Sequence, residues 1–449
     1  MLHSVLKWLP TWVHERIAHR TGLLKILDNI GWLFFDKILR MGVGLLVGVW
    51  VARYLGPEQF GLLSFALAFI GLFGAVATLG LHGIVVRDIV QDQTSGNETL
   101  GTAFVLQLLG GLTAYLLVFA TISYFRPDDD LTRTIVAILG FTLVLRAGET
   151  IKYWFESQVQ SKFVVWVENT TFLLIAGIKV AMILTHAPLT AFAWAILAEA
   201  ALVAASLLVV YSRTSRRLHA WKPGMRRAKT LLRDSWPLIL SGMAVMIYMR
   251  IDQIMLGQMI GDEAVGIYSA AVRVSEVWYF IPMAITASVF PSILEAKKRS
   301  EELYYQRLQK LFDLMAWISV AIALPMTFLS SHLIVILFGQ AYEQAGAVLT
   351  IHIWAAVFVF LGAASSRWFL AENRQILSMQ RSLLGAGMNV GLNILLIPRF
   401  GATGAAYATV VSYFFVVLVS DLFKKETRIL FNMKSYSLFP FARFLISKR

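Results

Sequence analysis

The stretch from Asn29 to Ala66 reads NIGWLFFDKILRMGVGLLVGVWVARYLGPEQFGLLSFA and predicts two apolar helices joined by a tight turn. Gly56 suits the end of the first helix, and Pro57 suits the first turn of the second. The apolar run on each side of the turn is long enough to cross a bilayer, which takes about 20 residues. The stretch therefore predicts a pair of consecutive transmembrane helices.

The same turn recurs later in the chain, where residues 258–271 match residues 53–66 at a constant offset. The number of identical positions in this window is larger than chance gives. The identical pairs are Gly56/Gly261, Glu58/Glu263, Gly61/Gly266, Ser64/Ser269 and Ala66/Ala271. We interpret the match as an internal duplication. In so apolar a chain, a duplication indicates a transporter built of two related halves.

The composition is that of a polytopic membrane protein. Of the 449 residues, 58% are hydrophobic and 15% are charged, whereas a soluble domain is about 45–50% apolar. The net charge of +13 does not indicate nucleic-acid binding, because the basic residues lie between membrane spans rather than on one soluble surface. The lack of cysteine excludes disulfides and thiolate metal sites. The histidines form no metal-binding pair, so we expect neither a metal nor a cofactor.

The apolar spans predict an all-α fold of about twelve transmembrane helices. We expect two six-helix bundles related by a parallel pseudo-twofold repeat, because both bundles begin on the same side of the membrane. A long polar break rich in arginine and lysine separates them. The predicted segments are an N-terminal segment at 1–26, a first bundle at 27–212, a basic linker at 213–231, a second bundle at 232–423 and a basic tail at 424–449.

The distribution of charge among the loops predicts the orientation. If the N-terminus is cytoplasmic, 29 of the 40 Lys and Arg residues fall in cytoplasmic segments, 4 fall in outside turns and 7 fall inside helices. Basic residues favour the cytoplasmic side, so we expect a multi-pass plasma-membrane protein with both termini in the cytoplasm. The tail mixes basic and aromatic residues, and two interpretations stay open. Either it lies on anionic membrane lipids, or it is a disordered basic tail.

Seven basic residues fall inside the predicted spans, where a charge is costly and normally faces a protein interior or a water-filled cavity. They are Lys37, Arg40, Arg146, Lys179, Arg250, Arg273 and Arg367. Four acidic residues near them in the sequence could be ion-pair partners or could take up a proton or cation. They are Asp36, Glu149, Asp252 and Glu276. We predict a hydrated cationic cavity that binds an anionic substrate. Structural ion pairs are the alternative, and Lys179 and Arg367 could instead reach the membrane surface from helix ends.

The stretch Ala52–Gly61 resembles the first loop of the lipid-linked oligosaccharide (O-antigen type) flippases, in the multidrug/oligosaccharidyl-lipid/polysaccharide exporter superfamily. Further stretches resemble the family in the same order along the chain. They are Arg250–Gly257 followed by Gly266–Ala271, then Ser288–Pro291 and Arg399–Thr409. The resemblance implies a V-shaped transporter whose two bundles open alternately to either side. It also implies a prenyl-pyrophosphate-linked glycan as substrate, and by motif it carries over only Arg250 and Asp252.

The sequence thus favours a flippase of lipid-linked oligosaccharide rather than an enzyme. A drug/cation antiporter of the same superfamily would need an acidic cavity, whereas basic residues predominate in these helices. A membrane glycosyltransferase or glycan polymerase would resemble chains with a long outside loop, and the predicted outside turns are short. Glycosyltransferases or a polymerase of the same pathway are possible partners. The energy source, whether a proton, sodium or the membrane potential, stays open.

Overall fold

The computed structural model describes residues 21–214 and 218–439, and every regular element in these two ranges is helical. The α-helices are α1 Thr21–Leu72, α2 Gly74–Thr78, α3 His82–Gln91, α4 Gly96–Phe125, α5 Asp130–Gly140, α6 Thr142–Leu145, α7 Thr150–Ser157, α8 Ser161–Leu184, α9 Leu189–Arg213, α10 Met225–Met259, α11 Asp262–Glu276, α12 Phe280–Arg299, α13 Glu301–Phe338, α14 Ala345–His352, α15 Ala355–Ala371, α16 Gln375–Val417 and α17 Arg428–Leu438. The 3-10 helices are Arg146–Glu149, Leu218–Ala220, Val277–Tyr279, Gln340–Tyr342 and Val419–Leu422. The prediction of an all-α fold is confirmed.

Within the described ranges, 10 stretches are long and apolar enough to cross a membrane. Two of them contain a glycine with non-helical backbone angles, Gly56 in α1 and Gly401 in α16. Each of these glycines falls at a turn that the sequence predicts between two consecutive spans. The polytopic membrane fold is therefore confirmed, whereas the number of twelve helices and the repeat stay predictions.

The break in α1 has a local cause. Gly56 has a φ of 74°, a left-handed conformation that glycine adopts without the steric cost that a side chain adds. Pro57 follows it directly, in the first turn of the next helical segment, where the missing N–H is tolerated. Gly401 has a φ of 56° and makes the corresponding break in α16. These two glycines end one membrane segment and let the next begin at once.

The described chain divides into two compact units. Unit 1 contains the described residues up to Val51 together with Phe69–Met243, and unit 2 contains Ala52–Ala68 together with the residues from Ala244 onward. The chain passes from one unit to the other inside α1 and inside α10. The first part of α10 therefore belongs to unit 1, and the turn of α1 belongs to unit 2. These borders differ from those predicted for the two six-helix bundles.

Unit 1 packs closely because glycines let backbones approach one another. A Cβ on Gly111 of α4 would lie 2.5 Å from the carbonyl oxygen of Leu143, which is in the short helix α6. A Cβ on Gly80 would lie 2.9 Å from the Cβ of Leu238 in α10. Both distances are too short for a real side-chain contact. Small residues therefore fix where α6 and the first part of α10 lie within this unit.

In unit 2, the two related turns of the sequence pack against each other. A Cβ on Gly61 would lie 1.7 Å from the carbonyl oxygen of Asp262, and a Cβ on Gly266 would lie 1.9 Å from that of Pro57. The two contacts are reciprocal, because the same offset relates Pro57 to Asp262 and Gly61 to Gly266. Neither glycine leaves room for a side chain. We call this pair of contacts the glycine crossing.

The tail begins as an ordered element, since α17 packs against α13. The Nε2 of Gln309 donates to the carbonyl oxygen of Met433 at 3.0 Å and to the Oγ of Ser437 at 2.8 Å. Lys434 is fully buried, and its Nζ donates to the Oδ2 of Asp421 at 2.6 Å. The interpretation of the whole tail, 424–449, as disordered is therefore wrong for Arg428–Leu438. Residues 440–449 lie outside the described part of the chain.

Candidate functional site

Unit 1 contains a charged cavity of about 330 Å³. It lies among α1, α8, α9 and the interrupted span formed by α5, α6 and α7. Three cations and three carboxylates line it: Arg40, Arg146, Lys152, Glu149, Glu168 and Glu199. Charged groups inside membrane helices are stabilised by such a cavity, which can hold water or a polar ligand. We call it the unit 1 cavity.

Arg146 lines the cavity from a membrane span that is not a continuous α-helix. A 3-10 segment, Arg146–Glu149, separates α6 from α7. Gly74 provides the space, because a Cβ there would lie 2.8 Å from Nη1 of Arg146. In residues 21–214 and 218–439, no carboxylate forms an ion pair with Arg146; Glu149 pairs instead with Lys152, at 3.8 Å. Arg146 is thus a cation available to a ligand.

The other two cations of the cavity share one carboxylate. The Oε2 of Glu168 lies 3.3 Å from Nη2 of Arg40, and its Oε1 lies 2.5 Å from Nζ of Lys152. Arg40 also has the ion pair with Asp36, at 2.8 Å between Nε and Oδ1. Sequence reasoning missed both Lys152 and Glu168 as site residues. Lys152 follows Glu149 by three positions on one helix face, and this spacing is the sequence signal that could have identified it.

Two further predicted cations of unit 1 lie apart from this group. Lys179 pairs with Glu199, with 3.4 Å between Nζ and Oε2. Glu199 itself lines the cavity, so Lys179 neutralises one of the cavity's carboxylates. Lys37 is exposed on α1 and does not line the cavity. The structure therefore brings Arg40 and Arg146 together and leaves Lys37 outside.

In unit 2, Arg250 pairs with Glu276 of the neighbouring helix, at 3.1 Å between Nη2 and Oε2. Arg273 lies within electrostatic reach of both of these charges, and its guanidinium carbon is 5.4 Å from the ring centroid of Phe60. In the described part of the chain, Arg273 has no ion pair within 4 Å, even though Glu276 follows it by three positions. Two cations therefore depend on one carboxylate, which leaves a net positive charge.

Arg367 lies elsewhere in unit 2 and contacts neutral groups. Its Nη2 donates to the Oγ1 of Thr286 at 3.3 Å, and its guanidinium carbon lies 5.4 Å from the ring centroid of Phe290. Its buried Nε has no hydrogen-bond partner. A stacked arginine with an unused donor could accept an anion.

Asp252 does not form an ion pair with Arg250. Its hydrogen-bond partners are uncharged polar side chains. It is 2% exposed, and it accepts hydrogen bonds from the hydroxyl of Tyr268 at 2.7 Å, from the Oγ1 of Thr409 at 2.5 Å and from the Nδ2 of Asn393 at 2.5 Å. The same Nδ2 lies 3.0 Å from the Oδ1 of Asn389. The buried Oδ1 of Asn393 has no partner. A carboxylate among hydroxyl and amide oxygens suits a proton or a small hard cation.

Residues 26–297 match the profile of the family described as polysaccharide biosynthesis protein, and this match covers more than half of the chain. The chain belongs to the polysaccharide biosynthesis protein family. Residues 237–395 of this family member also match the MatE profile. The resemblance found in the sequence is therefore confirmed.

The chain is similar to known proteins both in sequence and in structure. The chain is 24% identical over 405 residues to the probable low-salt glycan biosynthesis flippase of Haloferax volcanii, covering 85% of this chain and 79% of the relative. The structure of this chain superposes on an inward-facing multidrug resistance MATE family transporter with a TM-score of 0.74 and 16% identity, over 91% of this chain and 99% of the other. It superposes on the lipid II flippase MurJ, in an inward closed conformation, with a TM-score of 0.68 and 15% identity, over 93% and 92%. The family member therefore has a MATE-like transporter fold.

Proposed function

We propose that the protein is a flippase that moves a polyprenyl-pyrophosphate-linked oligosaccharide, such as a polysaccharide or O-antigen repeat unit, from the cytoplasmic to the outer leaflet of the plasma membrane. Two helix bundles would open alternately to either side of the membrane and so move this substrate across. The observation that supports this most is the unit 1 cavity, in which Arg146 has no ion pair among the described residues. Relatives named as glycan flippases make a glycan substrate the natural choice.

The cavity suits a pyrophosphate for a physical reason. Moving this anion through hydrocarbon without compensation costs a large desolvation energy. Arginine donates two parallel hydrogen bonds to phosphate oxygens, and such charge-assisted bonds are about twice as strong as neutral ones. Arg146, Arg40 and Lys152 would hold the pyrophosphate in the cavity, while the prenyl tail stays in lipid. Arg250, Arg273 and Arg367 would offer further anion contacts in unit 2.

The proposed setting follows from the loop charges. Both termini would lie in the cytoplasm, and the basic tail would contact anionic lipids. Glycosyltransferases and a glycan polymerase of the same pathway would act before and after translocation. The chain itself would carry out transport and no covalent chemistry.

The test is a flipping assay with a fluorescent lipid-linked glycan in proteoliposomes. Arg146→Ala should lower the flipping rate at least about tenfold, because it removes the cation that lacks an internal partner. The matched control is Arg233→Ala, whose side chain is 77% exposed; it should flip at the wild-type rate. Wild-type flipping by Arg146→Ala would refute the role of the cavity.

The second candidate is a multidrug/cation antiporter, which the buried Asp252 cluster favours. In a flippase, the same carboxylate would couple glycan transport to a proton or sodium gradient. Asp252→Asn keeps the side-chain shape but removes the charge, so flipping should become independent of such a gradient. Measuring flipping with and without each gradient checks this. If the purified protein moved cationic dyes against a gradient and did not flip the glycan, the antiporter would replace the flippase.

A further inference from the structure

Glu168 of α8 holds two cations of the unit 1 cavity at once. One carboxylate oxygen lies 3.3 Å from Arg40 Nη2, and the other lies 2.5 Å from Lys152 Nζ. The side chains of Glu168 and Lys152 are 18% and 21% exposed, so solvent screens this contact only in part. The geometry is that of a bridging anion, with one oxygen for each cation.

We infer that Glu168 is an internal anion that the pyrophosphate group of the substrate must displace from Arg40 and Lys152. This inference rests on the proposed function and adds a residue that sets the affinity of the cavity. A carboxylate and a phosphate group accept hydrogen bonds from the same donors. Glu168 and the substrate therefore compete for the same two side chains.

The remaining contacts of the cations explain why only this carboxylate needs to leave. Arg40 keeps its ion pair with Asp36, at 2.8 Å, when Glu168 is displaced. Lys152 keeps the longer contact with Glu149, at 3.8 Å. Both cations would then turn a free donor toward the ligand, beside Arg146. The cavity then offers three donors to the ligand, while Arg40 and Lys152 each keep one carboxylate partner.

Glu168 also stabilises the protein when no substrate is bound. Without Glu168, the empty cavity would hold extra positive charge away from bulk water, which is costly. With it, the empty state is close to neutral, and part of the binding energy of the substrate is spent on breaking two ion pairs. Glu168 thereby weakens substrate binding and favours substrate release. A transporter needs release as much as binding.

The test uses inorganic pyrophosphate as the probe and isothermal titration calorimetry on the detergent-purified full chain. Glu168→Gln removes the charge at nearly constant volume and should lower the Kd for pyrophosphate about tenfold. Glu168→Asp keeps the charge but is too short to bridge both cations, and it should give an intermediate Kd. Glu156→Gln removes a carboxylate of α7 that pairs with His82 at 2.6 Å and does not line the cavity. It should leave the Kd unchanged.

Flipping kinetics supply the second readout. Glu168→Gln should lower KM and the turnover number together, because tighter binding without a tighter transition state slows release. An unchanged or higher Kd in both Glu168 variants, beside measurable binding by the wild type, would overturn the inference and leave the proposed function standing. If neither the wild type nor any variant bound pyrophosphate, the anion site itself, and this inference with it, would be wrong.

Discussion

Arg250 and Asp252 stand two positions apart on α10, yet they belong to different clusters. Residues two apart on a helix point in nearly opposite directions. Arg250 therefore meets Glu276, whereas Asp252 meets Tyr268 and Thr409. The sequence identified both charges, because an ionised group inside an apolar span stands out. It could not identify their partners, because these depend on which helices pack together.

This pairing decides how the role of Arg250 is tested. Arg250→Ala should lower flipping at least about tenfold if the guanidinium contacts the substrate. Adding Glu276→Ala removes the carboxylate left behind and should not restore flipping, because the anion contact is still missing. Arg250→Lys should restore flipping only in part, because lysine lacks the planar fork. The proteoliposome assay measures all three, and full recovery in the double variant would show a purely structural ion pair.

Lys152 and Glu168 show the limit of sequence reasoning at the residue scale. Both lie near the ends of predicted spans, where a charge is ordinary and attracts no attention. Only the packing of α7 against α8 brings them within 2.5 Å. Arg146, by contrast, stood out because it lies near the middle of its span. Depth in the membrane is readable from the sequence, whereas proximity between helices is not.

At the scale of single elements, the breaks divide into two kinds. The break at Gly56 was predictable, because Gly-Pro both frees the backbone and starts the next segment. The break at Arg146–Glu149 carries no proline, and its one glycine, Gly148, lies against Ala204. Tertiary packing decides this second break. The unit 1 cavity includes residues of this break, so hydrophobic periodicity alone could not predict it.

The docking of α17 should depend on pH. Burial lowers the pKa of Lys434 from its ordinary value of 10.5 to about 7, and the nearby charge of Arg381 acts in the same direction, against Asp421. The docked helix then carries fewer protons than the undocked one between about pH 7 and pH 10.5. Docking should therefore strengthen as the pH rises through this window, by up to about 1.4 kcal/mol per unit. Below pH 7 both states are protonated, and the dependence ends.

Hydrogen exchange of the α17 amides, corrected for the intrinsic rate at each pH, measures this docking. Protection should increase between pH 7 and pH 9 in the wild type. Lys434→Met keeps the length of the side chain without a titrating group, so its protection should not change over that range. The same increase in Lys434→Met would assign the pH dependence to another group.

At the scale of the whole molecule, the composition and the length of the apolar spans were enough to predict an all-α membrane fold. Apolar spans of bilayer length leave few other folds, because the backbone must satisfy its own hydrogen bonds in lipid. The division into compact units was not predictable in the same way. The polar linker at 213–231 is the obvious border in the sequence, yet the chain leaves unit 1 only after Met243.

The glycine crossing should be a large contributor to stability. Gly61→Ala or Gly266→Ala would place a methyl group within 2 Å of a backbone carbonyl oxygen, so the backbones must separate. Each variant should lower the Tm of the detergent-purified protein by several degrees, as overpacking costs about 1–3 kcal/mol or more. Gly391→Ala in α16 has no atom within 4 Å of the new methyl group and is the matched control. A Tm for Gly61→Ala equal to that of the control would show that the crossing is loose.

Because the unit borders fall inside α1 and α10, each half of the chain contributes a segment to the unit that the other half mainly forms. The turn after Ala52 comes from the first half but folds with unit 2, and the stretch up to Met243 comes from the second half but folds with unit 1. Because α1 and α10 each continue across a unit border, a cut at Val51 or Met243 would divide a helix and would not separate two independent segments.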